Sequence, residues 1–263
     1  MLTGIDHLVV AVDDPDVAAA ELERAVGLAA GPGGRHPGLG TRNRLVWLGD
    51  TYLELIGVDD RGLAAGSWIG PPTLAALAAG GGLATYALAS DDLATDLDRL
   101  RAGGARWTGP SSGERTRPDG RVVRWSLGLP ARLGPAEAPF LIEHDRTAAE
   151  WTDEERRDRA AARHPLGAPV RLEVLELPVT SARLVQDTYV RALGLLFRPS
   201  LAGRGARDTS VDRQIVRIRP VRAPEPPTVR LVAAVTGGRD VTVLGLRFVV
   251  RSAAVPRGAS ATG

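Results

Sequence analysis

The sequence predicts an α+β fold assembled from a recurring module of strand, helix and further strands, and three observations predict it. Residues 5–12 form a short, valine-rich apolar run that carries His7. It is too short for a helix and reads as a buried strand; Asp13, Asp14 and Pro15 punctuate it, and a helical stripe of Val17, Leu22 and Val26 then stops at Gly27. The same order returns at residues 83–104, where a strand leads into Asp91 and Asp92, a helix and a glycine stop; aligning Asp91 with Asp13 sets His7 over Thr85. A third, looser copy runs over residues 170–195, ending at Gly194 and Leu195. A unit that recurs in this way decides the architecture.

Taken in order, residues 29–44 read as a loop of Gly, Pro and Arg that holds His36. Residues 45–48 and 51–58 form a hairpin about Gly49 and Asp50. Alternation along its second strand puts Leu53 and Leu55 on one face and Tyr52, Glu54 and Ile56 on the other, and a carboxylate there is costly to bury without a partner. Residues 61–82 link to the second copy, with a short helix at 73–79. Beyond Gly104, an Arg- and Ser-rich loop leads to strands at 121–127 and 140–145. YLELI (52–56) and FLIEH (140–144) correspond only with a slip of one residue, and register decides which face each side chain meets. Residues 146–163 predict a polar helix, with Thr152 and Glu155 spaced as a capping box and Asp153 and Glu154 in the first turn, ended by His164-Pro165. The third copy continues through strands at 212–219, 228–235 and 241–251. The expected organisation is therefore a paired-module domain at 1–146, a linker helix at 147–165, a third module at 166–252 and a disordered tail at 253–263.

With 263 residues, 44% hydrophobic and 24% charged, the chain has the composition of a globular protein with a sizeable core. All 33 basic residues are arginine, set against 31 acids, for a net charge of +2. They are spread along the chain without a nucleic-acid-binding motif, so no nucleic-acid partner is expected. The absence of cysteine excludes disulfides, thiolate metal sites and cysteine nucleophiles. No charged-then-apolar leader and no run of 18 apolar residues is present, so no membrane association is expected and a cytoplasmic location is the default. The glycines at 80–82 lack the spacing of a dinucleotide site, and neither a phosphate-binding loop nor a G-x-S-x-G elbow occurs, so neither a nucleotide nor a flavin is expected.

The stretches IDHLVVAV with His7, GDTYLELIGV with Glu54, APFLIEHD with Glu143 and the helix-ending AVGL and ALGL resemble the vicinal oxygen chelate superfamily. Its members include glyoxalase I, extradiol dioxygenases and binding proteins of the bleomycin-resistance type, and the likeness is to its glyoxalase-like proteins. The resemblance covers residues 2–145 well and 170–250 more weakly. It implies paired βαβββ modules rolled into a cupped mixed sheet, with a third, partial module beside them. It also implies ligands projecting inward from the first and last strands of each module: His7 and Glu54 from one, Thr85 and Glu143 from the other. Threonine stands where the family has its second histidine, and a hydroxyl is a poor ligand beside an imidazole. His7, Glu54 and Glu143 remain as candidate ligands of one divalent ion (Zn, Ni, Mn, Mg or Fe), with Glu54 and Glu143 as candidate catalytic carboxylates. A metal there would act as a Lewis acid while a carboxylate moves a proton; with one histidine the set is less suited to dioxygen chemistry.

Plainer readings stand beside these. His7 could be a satisfied core histidine, and Glu54 could pair with Arg42 or Arg44. Glu143 could serve an ion pair, or His144 could face the cup in its place. His36 and His164 read as exposed loop residues beside prolines, and Trp47, Tyr52, Trp68, Trp107 and Trp125 as core. Arg35, Arg42, Arg44, Arg115, Arg117 and Arg124 could meet an anionic group. The third copy carries Glu173 and Glu176 but no histidine and is expected to be chemically silent. Being an odd number, it is expected to cap the first pair or to pack against a second subunit in a homodimer. Two functional classes follow: a metal-dependent isomerase or lyase acting on a small oxygen-bearing molecule, or a metal-free protein that binds or sequesters one.

Overall fold

The computed structural model describes residues 1–117 and 119–253, so all of the expected tail except Ala253 lies outside the described residues. The opening unit is β1 (Leu2–Ala11), α1 (Pro15–Val26), β2 (Arg35–His36), β3 (Thr41–Leu48) and β4 (Thr51–Val58). Asp14 caps α1, its carboxylate accepting from the amides of Asp16 and Val17, and Gly27 ends the helix in the left-handed region at φ +82°, which a residue with a β-carbon resists. Short helices α2 (Arg61–Gly66) and α3 (Gly70–Ala78) lead to β5 (Gly82–Ser90), α4 (Leu93–Ala102), β6 (Trp107–Thr116), β7 (Val122–Pro130) and β8 (Phe140–His144). The segment expected to be an Arg- and Ser-rich loop is thus mostly β6: it lies at the sheet edge, where small and polar residues pair with β7 without having to pack on both faces.

These eight strands form one mixed sheet in the order β2-β3-β4-β1-β5-β8-β7-β6. β1 runs parallel to β4 and antiparallel to β5, so the two units meet at the centre. After α5 (Asp153–Ala161), the rest of the chain builds a second sheet from β9 (Val170–Val179), α6 (Ala182–Leu193), β10 (Arg198–Pro199), β11 (Arg207–Val211), β12 (Gln214–Pro220), β13 (Thr228–Ala233), β14 (Arg239–Val243) and β15 (Leu246–Ser252). Its order, β10-β11-β12-β9-β13-β15-β14, follows that of the first sheet position for position as far as β7. The strands after residue 227 therefore do not complete the module begun by β9. They form the other half of its sheet, without a helix between β13 and β14, and the odd copy finds its counterpart within the chain.

The helix-bearing faces of both sheets share one core, with Leu8, Leu22, Leu53 and Leu97 from the first part packed in the same cluster as Leu175, Val216 and Phe248 from the second. α1 touches β3 and β4 of its own sheet and β14 of the other. The hydroxyls of Tyr86 and Tyr189 hydrogen-bond in this core, and Trp107 donates from Nε1 to the carbonyl of Ala192 at 2.8 Å. Of the two covers expected for the third copy's apolar strand face, the first pair or a second subunit, the chain's own first sheet is the one that packs on it. Both sheets keep their opposite faces free of this core. Among the described residues, no helix is long and apolar enough to cross a membrane.

Candidate functional site

The concave face of the first sheet holds a small cavity of about 90 Å³, walled by Trp47, Tyr52, Trp68, Trp125, Phe140 and Trp151 and bearing His7, His36, Glu54, Arg115, His144 and Glu150 as its ionisable groups. Alternation on β4 places its residues as the sequence reading expects: Leu53 and Leu55 enter the inter-sheet core, while Ile56 faces the cup and Glu54 lines its cavity. Glu54 finds neither Arg42 nor Arg44. Those two point outward to Asp14, Asp16 and Asp59, and the residue between them, Asn43, donates from its side-chain amide to Glu54 Oε1 at 2.6 Å. Asn43 is oriented in turn by accepting from the Gly34 amide at 2.7 Å.

His7 Nε2 lies 3.8 Å from Glu54 Oε2, so the structure brings these two expected residues together. The imidazole is stacked on Tyr52 with centroids 4.5 Å apart and meets the edge of Phe140 at 5.3 Å, which fixes its plane. Behind it, Nδ1 is 2.6 Å from Oδ1 of Asp6, whose other oxygen is 3.0 Å from His144 Nε2. Neighbouring residues on a regular strand face opposite ways. Here the β1–β5 register steps from Ile5 opposite Leu88 to His7 opposite Ala87, and the resulting bulge at Asp6 turns its carboxylate toward the same two imidazoles. Burial opposes ionisation of Asp6, but its contacts with His144 and His7 prevail and hold its pKa well below the usual carboxylate range.

Glu143 does not join this group. On β8, Phe140 and Ile142 face the cup and Leu141 faces the inter-sheet core, so the even-numbered His144 continues the cup face and Glu143 turns away from it. Its carboxylate instead accepts from the Leu93 amide at 2.8 Å, at the start of α4, where an anion meets the positive end of the helix. Thr85, opposite Val9 on β1, is fully buried, and its hydroxyl has no hydrogen-bond partner among the described residues. His7, Glu54 and Glu143 therefore do not fit one ion, and among the described residues no group of three or more His, Cys, Asp or Glu is placed to hold a metal.

Several residues of the cup were not anticipated. His36 lines it rather than lying exposed, with Nδ1 3.1 Å from the Thr41 hydroxyl; burial lowers its pKa, against the opposing pull of Glu54. The segment between β8 and α5 folds back over the rim. Trp151 stacks on His144 with centroids 3.7 Å apart, and the Arg159 guanidinium sits 4.1 Å above the Trp47 ring. Glu150 is a non-glycine residue at φ +71°, a strained conformation, held there by Arg115, whose Nη2 lies 2.7 Å from both its oxygens, and by its own amide bonded to Glu155 Oε2 at 2.6 Å. Thr152 caps α5 as the spacing predicts, donating and accepting with Glu155 at 3.3 Å. His164 is also not free: one ring nitrogen meets the Trp47 carbonyl at 2.7 Å and the other accepts from the Ala29 amide at 3.2 Å. The signals for these residues were local and easily passed over: an aspartate in the apolar run of β1 beside His7, and a lone tryptophan in a polar segment.

A cupped mixed sheet built from two strand–helix units joined at their first strands, with a lined cavity on its concave face, defines the glyoxalase-like class of fold. Residues 5–193 match the family described as glyoxalase-like domain, and the chain belongs to this family. Nearly the whole chain also superposes on a solved structure, a hypothetical protein from Staphylococcus aureus: the TM-score is 0.77 at 15% identity, over 95% of this chain and 99% of that one, a likeness of fold. Methylmalonyl-CoA epimerase from Streptomyces coelicolor, solved with 2-nitronate-propionyl-CoA, gives a TM-score of 0.40 at 20% identity over 55% of this chain and 97% of its own. The epimerase from Mycobacterium tuberculosis gives 0.39 at 20% identity, over 54% and 87%. No curated protein matches the chain in sequence.

Proposed function

We propose that the cup binds a small oxygen-bearing molecule and moves a proton on it, an isomerase-type activity in which Glu54 is the base. The observation that carries this reading is the pairing of Glu54 Oε2 with His7 Nε2, 3.8 Å apart inside a cavity of aromatic walls. Such walls set the carboxylate beside apolar and aromatic surface and limit its contact with solvent. The bond to Asn43 occupies Oε1 and leaves Oε2 as the atom that would take a proton from the carbon beside a ligand's carbonyl. The electron pair of that C–H bond moves onto the carbonyl oxygen, and return of the proton to a different position or face completes the exchange. The oxyanion needs N–H donors, which Arg115 and His36 can supply from the same cavity; Glu150 takes the hydrogen bonds of only one Arg115 nitrogen. A volume of about 90 Å³ admits only a few non-hydrogen atoms, so either the ligand is small or its reacting end alone enters.

The test is deuterium incorporation from D2O into a panel of small carbonyl compounds (pyruvate, hydroxyacetone, methylglyoxal, methylmalonate and lactaldehyde), followed by proton NMR. Incorporation into at least one compound is expected, with a loss of about 100-fold or more in Glu54→Gln. Binding without incorporation across the panel would favour a metal-free binding protein instead.

A further inference from the structure

We propose that Asp6 is a positioning residue: anchored by His144, it holds His7 in the tautomer that carries its proton on Nδ1, so that a bare Nε2 faces Glu54. The inference deepens the proton-transfer reading and rests on it for its consequence, though not for its geometry. An ionised carboxylate can only accept, so the proton in the 2.6 Å contact between Asp6 Oδ1 and His7 Nδ1 comes from the ring. A neutral imidazole has one N–H, and His7 Nε2 is then a lone pair. The same reasoning at 3.0 Å gives His144 its proton on Nε2, and His144 Nδ1, left bare, has no hydrogen-bond partner among the described residues.

The 3.8 Å gap between His7 Nε2 and Glu54 Oε2 agrees with this assignment, being too long for a hydrogen bond. In the other tautomer, Nε2–H would donate to Glu54 and tame it as a base. Asp6 thus acts on the reaction through His7 by keeping Glu54 uncommitted. Its placement has every mark of a built feature. The carboxylate is 2% exposed, it sits at a bulge that breaks the β1–β5 pairing, and both of its oxygens meet imidazole nitrogens. Burial of a charge and loss of a ladder pair each oppose folding, and two donors on one carboxylate are what offsets them.

The test uses the full chain labelled with 15N-histidine and long-range 1H–15N correlation at pH 7.5, which distinguishes the two tautomers and the imidazolium. The expected spectrum shows His7 protonated on Nδ1 alone and His144 on Nε2 alone. In Asp6→Asn the amide can accept from only one ring and must donate to the other, so one of the two imidazoles must move its proton, and a move at His7 appears as an Nε2–H signal. Deuterium incorporation should then fall by about 100-fold or more with ligand affinity little changed. His144→Gln, which keeps an N–H donor for Asp6, should preserve the His7 tautomer. A wild-type His7 that is protonated on Nε2 or on both nitrogens overturns the proposal without recourse to any variant. The correct tautomers with no incorporation into any compound would instead remove the proton-transfer reading and leave the positioning geometry standing.

Discussion

The faces that the two sheets turn away from their shared core follow the same strand order as far as β7 and carry opposite chemistry. Counted back from the helix N-caps Asp14 and Ser181, Val174 stands where His7 does and Glu176 where Val9 does. Across the parallel pairs, Val9 lies opposite Glu54 and Glu176 opposite Arg217, so an arginine replaces the proposed base. Glu176 is then surrounded: Arg219 Nε is 2.8 Å away, Arg217 and Arg230 approach to 3.6 and 3.7 Å, and Asp208 and Glu225 neutralise Arg217 and Arg219 from outside. The first cup leaves a carboxylate and an imidazole facing a cavity, whereas the second face ties its charges to one another. One frame can thus be a site or a strut, according to whether its polar atoms retain unspent bonding capacity.

The comparison can be broken by moving one acidic residue at a time. Glu54→Gln should lower deuterium incorporation by about 100-fold or more while costing under about 1 kcal/mol of stability in urea unfolding, because Gln keeps an acceptor for Asn43. Glu176→Ala should do the reverse. Stripping the shared anion from three arginines should cost about 3 kcal/mol, with incorporation unchanged. Equal losses of activity in the two variants would show that the faces are not functionally distinct.

A smaller effect concerns the strap between the sheets. Burial holds the pKa of His164 below the ordinary imidazole value of 6.5, against the opposing effect of its bond to the Trp47 carbonyl. The unfolded chain therefore takes up this proton first as pH falls. The contribution of His164 to stability should be complete above about pH 6.5 and be lost as pH drops through its folded-state pKa. Urea midpoints measured from pH 7.5 to 5 should fall more steeply in the wild type than in His164→Asn. The smallest expected effect is at the metal level. Calorimetric heats with Ni, Mn and Zn should be indistinguishable between the wild type and His7→Ala, since Glu143 lies on the other face of β8; a heat dependent on His7 would reinstate an ion at the Glu54 pair.

Much of the fold was legible in order and periodicity. The apolar run of β1, the stripe and glycine stop of α1, and the hairpin of β3 and β4 are encoded within a few residues of one another, and so is the inward face of Glu54. The edge strand β6 was not, because its Ser, Gly and Arg residues carry no apolar alternation and owe their strand geometry to β7. The choice between Glu143 and His144 turned on a single step of register, which FLIEH does not contain; the pairing of β8 with β5 and β7 supplies it.

Local patterning, then, was enough to establish the recurring unit, its helix boundaries, the family likeness and the His7 and Glu54 positions, because each depends on spacing along one stretch of backbone. What joined them into a site came from contacts distant in sequence: the bulge that brings Asp6 to His7 and His144, the return of Trp151 over the rim, and the second sheet as the cover of the shared core. A side chain's type and spacing are local properties, whereas the number of its bonds already satisfied depends on which strands become neighbours.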